Sequence, residues 1–246
     1  MNKDNKNKVI VLGVPITLYT PEGGIAHIES LIAKERSNLV VLANAYTLNL
    51  AYEDEDYKKI LQNASLVLRD GAGASWAIKR QGINPGHNFV GTDFIPDFCK
   101  ATQDKGYKFY LLGDEKGVAE KAGEKLKQKI PSIKIVGYHH GFFDEKESDK
   151  IIAGINKVEP EILLIGMGNP RQEKWALANL DKLEVSVIIG VGALFKYLSG
   201  EVKRAPKWML KHNMEWVFRL VTEPKRLWKR YIIGNPKFIW RVLREK

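Results

Sequence analysis

Short apolar runs alternate with stretches of helical spacing along the first two hundred residues. Val9–Pro15, Leu39–Ala43, Ser65–Leu68, Lys108–Leu112, Ile133–Gly137, Ile162–Gly166 and Val185–Val191 read as strands. Most are continuously apolar, the pattern of strands covered on both faces. Gly24–Arg36, Thr47–Gln62, Gly117–Ile130, Asp149–Lys157 and Glu173–Leu180 read as helices between them. Strand–helix alternation predicts an α/β fold whose mainly parallel sheet is joined by right-handed crossovers and flanked by helices. Gly82–His87 is the most loop-like stretch of this body.

The pattern changes near Gly200. Pro206, Pro224 and Pro236 break the remainder into three short amphipathic segments. Leu210, Met214, Val217 and Val221 recur at helical spacing in the first. In the second, Lys225, Arg226, Lys229 and Arg230 fill one arc and Leu227, Trp228, Tyr231 and Ile232 the other. The expected organisation is a core over 1–200 and a helical appendage over 201–246.

Charge sharpens that boundary. The chain has 39 Lys and Arg against 29 Asp and Glu, and Val202–Lys246 holds 13 of the former and 3 of the latter, so residues 1–201 are neutral. Four of the six tryptophans, Trp208, Trp216, Trp228 and Trp240, lie in the same tail. Tryptophan settles at the headgroup level of a bilayer, where basic side chains meet anionic lipid. A neutral body with such a tail predicts an enzyme working at an anionic membrane surface. The longest uncharged apolar run, Val185–Phe195, is too short to span a bilayer. The basic start leads into only about eight apolar residues without a small-residue cleavage pattern, so it reads as a frayed terminus before a first strand. A lone cysteine, Cys99, fits a reducing compartment. The expected location is therefore cytoplasmic, peripheral on the inner face of the membrane. The appendage could equally pack on the body or form a subunit contact, leaving a homo-oligomer open. Nothing resembles a nucleic-acid-binding motif.

In a parallel, Rossmann-like sheet, ligands bind beyond the carboxyl ends of the strands. Asn44 follows the second strand, and Arg69-Asp70-Gly71-Ala72-Gly73 the third. GMGNPRQEKW (Gly166–Trp175) and GVGALF (Gly190–Phe195) follow the last two. Glycine turns there, including Gly71, Gly73, Gly168, Gly190 and Gly192, allow backbone to approach a phosphate. None completes G-x-G-x-x-G or a P-loop. Arg171 and Gln172 begin a helix, a position suited to a pyrophosphate or simply to solvent. Asp70 is placed either as a general base or as a helix cap. Asp54-Glu55-Asp56 has the D-x-D form of a metal motif, but mid-helix its two Asp diverge by about 200°, so a solvated face is expected. His139-His140 lacks a third ligand at metal spacing.

Together these motifs resemble the WecG/TagA/CpsF group, glycosyltransferase family 26. The resemblance runs through LGVPIT, Asn44-Ala45, DGAG (Asp70–Gly73), VGTD (Val90–Asp93), FYLLGD (Phe109–Asp114) and GYHHGFF (Gly137–Phe143). It continues through GMGNPRQEKW, GVGALF, VKRAPKWM and EWVFRLVTEPKR. It implies an inverting enzyme that moves a sugar from a UDP-sugar to a sugar on a polyprenyl pyrophosphate, in teichoic acid, capsule or exopolysaccharide synthesis, without a metal cofactor. It places the general base on Asp70, pocket amides on Asn44 and Gln172, and pyrophosphate-binding arginines on Arg219 and Arg226. Two positions depart from the teichoic-acid members: Leu42 stands where they have Thr, and Asn88 is nearest to where they have Arg. A hexose donor therefore stays open, as does an impaired, membrane-attached UDP-sugar-binding protein.

Overall fold

The computed structural model describes residues 7–34 and 37–245. Its centre is an eight-stranded sheet in the order β1-β2-β4-β3-β8-β7-β5-β6. The strands are β1 (Lys8–Val11), β2 (Val14–Thr17), β3 (Asn38–Ala43), β4 (Leu66–Arg69), β5 (Lys108–Gly113), β6 (Lys134–His139), β7 (Ile162–Gly166) and β8 (Val187–Gly190). All neighbours are parallel except β1 and β2. The apolar runs at β3, β7 and β8 are buried along their whole length, as strands covered on both faces must be.

The helices are α1 (Pro21–Ile32), α2 (Ala45–Glu53), α3 (Glu55–Asn63), α4 (Gly71–Arg80), α5 (Gly91–Ala101), α6 (Val118–Lys129) and α7 (Ser148–Asn156). Then follow α8 (Arg171–Ala178), α9 (Leu194–Ser199), α10 (Lys207–Lys211), α11 (Glu215–Thr222), α12 (Pro224–Trp228) and α13 (Gly234–Arg244). One core lies on each face of the sheet. Residues of α1, α5, α6 and α9 meet Val40 and Leu42 of β3 on one side. Residues of α2, α3, α4, α7, α8 and α13 meet Leu39 and Val41 on the other. The period-two alternation of side chains along β3 thus feeds both cores.

Three expected elements differ in detail. The run read as one strand, Val9–Pro15, is a hairpin: Leu12 and Gly13 both take positive φ, 49° and 78°, and reverse the chain. The helix expected over Thr47–Gln62 breaks at Asp54, whose extended backbone ends α2 while its carboxylate accepts from Tyr57 N–H to start α3. Asp54 is therefore a cap rather than a mid-helix residue, and it also pairs with Lys174 at 2.7 Å. The first tail segment is two helices, because Asn213 turns the chain with φ 58° between α10 and α11. The start, residues 1–6, for which fraying was expected, and the end of the first expected helix at Arg36 lie outside the described residues.

Pro236 does not break the tail. The chain stays helical from α12 through a π-helical turn, Lys229–Ile233, into α13. Proline lacks an N–H and its ring clashes with the carbonyl four residues earlier; a widened turn just ahead of it absorbs both effects. This helix then docks on the body. Phe238 and Val242 are buried in the core beside α2 and α4. Arg241 donates to the Asn49 carbonyl and side-chain oxygens at 3.2 and 2.9 Å and pairs with Glu53. Phe238 is 2% exposed and meets Trp76 edge to face at 6.5 Å. Phe238→Ala is expected to cost about 3–5 kcal/mol of stability, read as a lower urea midpoint at unchanged m-value.

Candidate active site

The carboxyl ends of β3, β4, β5, β7 and β8 open into a cleft of about 1280 Å³, roofed by the tail. Its floor is built around Asn44 and Asp70. Asn44 caps α2: its Oδ1 accepts from the Tyr46 and Thr47 N–H groups at 3.0 and 3.2 Å. That fixes the amide, so its Nδ2 faces Asp70 and donates to Oδ2 at 3.3 Å. Asp70 occupies the N-cap position of α4, yet its carboxylate accepts no hydrogen bond from that helix. The cap alternative is thereby removed, and the acid stays free toward the cleft. Burial pushes its carboxyl up to about 6, against the opposing Asn44 hydrogen bond and the Arg230 charge.

The turn beside Asp70 is set by Asn88. Gly71 has φ 84°, and its N–H donates to Asn88 Oδ1 at 2.7 Å. Arg69, buried, donates to the same oxygen at 3.1 Å and to the Pro85 and Gly86 carbonyls. Asn88 therefore organises backbone where the resemblance suggested a lost cation. Leu42, 6% exposed, forms cleft wall against Gly91. A Cβ on Gly73 would lie 2.8 Å from the Ala45 Cβ, so its role is the close approach of α4 to α2.

The turns after β7 and β8 are joined by one side chain. Gln172, 2% exposed, accepts through Oε1 from Gly168 N–H at 3.2 Å and Gly192 N–H at 3.1 Å. Gly168 and Gly192 take positive φ, 77° and 54°, with open space where a side chain would stand. Gly190 differs: its missing Cβ leaves room for Gln172 Nε2 and Glu173. Arg171 is exposed at the rim, donating to the Phe143 carbonyl at 3.1 Å and lying over that ring at 5.6 Å.

The tail brings four arginines to the cleft, Arg204, Arg219, Arg226 and Arg230. Arg219 lies over the Tyr197 ring at 5.6 Å, its Nε without a partner. Arg226 is exposed and pairs with Glu223 at 2.5 Å. Arg230 is stacked 4.5 Å from the Tyr46 ring centroid and reaches Asn44 Oδ1 at 3.4 Å, its Nε likewise unpartnered. Helical spacing alone sets Arg230 on a basic arc; in the structure it stands in the π-helical turn and faces Tyr46 and Asn44 on the cleft floor. Arg204 anchors this roof, gripping both Asp93 carboxylate oxygens at 2.8 and 3.1 Å from across the cleft.

Two acids do not stand out in the sequence. Asp114, at the end of β5 with φ 56°, has a buried Oδ2 without a partner, and burial pushes it up to about 6 despite Lys196 at 3.6 Å. Its place directly after an apolar run was the available signal. Glu173 lies fully buried beneath the glycine turns, and burial pushes it up to about 7. His139 and His140 stack at 4.4 Å, and His139 Nδ1 lies 2.7 Å from the His140 carbonyl oxygen. Among the described residues no three His, Cys, Asp or Glu side chains gather as a metal cluster.

An acid free of its helix, glycine turns at strand ends and arginine N–H groups without partners make a cleft suited to an anionic ligand. The chain belongs to the Glycosyl transferase WecG/TagA/CpsF family, whose model matches residues 9–246, and it is a glycosyltransferase. It is 29% identical over 246 residues to the N-acetylglucosaminyldiphosphoundecaprenol N-acetyl-beta-D-mannosaminyltransferase of Staphylococcus aureus (strain NCTC 8325 / PS 47). The match covers 99% of this chain and 95% of that relative. The same-named protein of strain MRSA252 matches with the same identity and coverage.

Proposed function

We propose that the protein transfers N-acetylmannosamine from its UDP-sugar to N-acetylglucosamine on a polyprenyl diphosphate, with inversion, at the inner face of a membrane, in cell-wall polymer synthesis. The name of the S. aureus relatives supports the sugar, the acceptor and the lipid. The observation that carries the chemistry is the Asp70 carboxylate, free of its helix and raised to about 6 on the cleft floor.

The donor lies across the strand ends. From β4 to β5 the sheet takes four steps, on the order of 20 Å at about 4.8 Å each, the reach of an extended nucleoside-diphosphate sugar. The sugar sits by Asp70, the diphosphate over the turns at Gly168 and Gly192, and the nucleoside by Asp114 and the exposed ring of Phe142. Asp70 takes the proton of the acceptor hydroxyl as its oxygen bonds to the anomeric carbon. The bond from that carbon to the diphosphate oxygen breaks, and the electron pair leaves with UDP. Arg219, Arg226 and Arg230 meet the charge that develops, so the reaction needs no metal cofactor.

The test is label transfer to a synthetic GlcNAc-diphospho-polyprenol from a panel of UDP-sugars, with and without chelator. Transfer from UDP-N-acetylmannosamine, unchanged by chelator, is expected. Transfer from a UDP-hexose alone would reassign the donor, and loss of transfer on chelation would overturn the cation-free mechanism. UDP binding without transfer from any donor would favour the impaired, membrane-attached binder, the reading that Leu42 in the pocket wall motivates.

A further inference from the structure

We infer that Glu173 is a positioning residue, which holds the Gln172 amide in the one orientation that ties together the two glycine turns of the cleft. Glu173 is fully buried. Its Oε1 accepts from Gln172 Nε2 and from Asn169 Nδ2, both at 2.6 Å, and its Oε2 accepts from Tyr57 O–H at 3.1 Å. All three of these neighbours are donors, and they favour the ionised carboxylate, which only accepts, against the burial that raises its pKa. Facing that acceptor, Gln172 must turn its N–H₂ inward, which leaves Oε1 toward the cleft. There Oε1 collects the Gly168 and Gly192 N–H groups, drawing the turn after β7 to the turn after β8. A flipped amide would set N–H₂ against two N–H groups and part the turns. Gly190 completes the arrangement, since a Cβ there would lie 2.6 Å from Gln172 Nε2 and 3.0 Å from Glu173 Oε1.

That the turns hold a nucleotide diphosphate rests on the function proposed above. Two measurements on the full chain separate the ideas. The first is hydrogen exchange of ligand-free protein, comparing wild type with Glu173→Gln and Glu173→Leu. Glutamine keeps the volume but carries its own N–H₂, so it no longer dictates how Gln172 points. Faster exchange confined to the Gly168 and Gly192 amides is expected in both variants, with thermal midpoints near wild type in Glu173→Gln. Wild-type exchange at those amides in Glu173→Gln would overturn the inference, whatever the enzyme binds.

The second is UDP affinity and steady-state kinetics. Displaced turns should weaken UDP binding and raise the donor KM by about tenfold to 100-fold, with kcat changed far less. Gln172→Ala should show the same loss, and adding Glu173→Gln to it should change UDP affinity by less than about threefold. Additive losses would mean that Glu173 does not act through Gln172, and would refute the assignment. A wild-type protein that fails to bind UDP would refute the proposed function, while the exchange result would still decide the role of Glu173.

Discussion

Asp70→Asn is expected to lower kcat by on the order of 10²–10⁴ while leaving the UDP dissociation constant within a few-fold of wild type. The amide matches the carboxylate in shape and can keep the hydrogen bond from Asn44, but it cannot take a proton from the acceptor hydroxyl. Wild-type turnover in a folded Asp70→Asn protein would remove this residue from the chemistry. The same substitution carries a second, opposite effect. The folded-state pKa of about 6 lies above the ordinary 3.8, chiefly through burial. Between these values the native state holds its proton more tightly than the unfolded chain, so this group's contribution to stability falls as pH rises through that window. Above it, the buried charge costs at most ~3 kcal/mol, since a tenfold change in proton affinity corresponds to about 1.4 kcal/mol. Asp70→Asn should therefore raise the thermal midpoint at pH 8, with the gain fading to nothing near pH 3. In the wild type, kcat/KM should drop tenfold for each pH step of one below about pH 6, as the base protonates. A protein that lost activity and stability together on Asp70→Asn would point to a structural carboxylate instead.

What sequence could disclose followed the range of the interactions. The buried strands β3, β7 and β8 were legible because burial on both faces leaves an unbroken apolar run. The acid and the glycines were legible because they stand directly after such runs, where a parallel sheet opens its site. The hairpin at Leu12-Gly13 was hidden, since leucine at positive φ has no sequence signature. Arg230 and Glu173 were hidden for another reason. Arg230 looked like one more cation on a basic arc, because the Asn44 side chain that it reaches lies 186 residues away. Glu173 read only as the first residue of a helix, because the Tyr57 hydroxyl that meets it comes from a helix 116 residues away.

Charge reversal on the outer face of the tail should abolish binding to anionic vesicles without unfolding the protein. Among the described residues fifteen large hydrophobics are exposed, and nine of them lie beyond residue 200. They include Trp208, Trp228, Ile232, Trp240 and Leu243, interleaved with Lys207, Lys225, Lys229, Lys237 and Arg244. No helix among the described residues is long and apolar enough to cross a membrane, so this surface suits contact at the headgroup level. Each basic side chain near an anionic leaflet contributes about 1 kcal/mol, so three Lys→Glu changes at 225, 229 and 237 should weaken vesicle binding by at least 100-fold. Trp228→Ser with Trp240→Ser should add to that loss in low salt and dominate it in high salt, where screening removes the charge contribution. Removing Val202–Lys246 outright would be a poorer experiment, because Phe238 and Val242 would leave the core with it. Some of the exposed residues also border the cleft: Trp216, Ile232 and Ile239 line it together with Arg230 and Asp70. Lipid docked there would present its diphosphate to the arginines, so the surface variants should lose transfer to a long-chain polyprenyl acceptor while keeping it for a short, water-soluble one. Equal losses with both acceptors would place the tail's role inside the site rather than at the membrane.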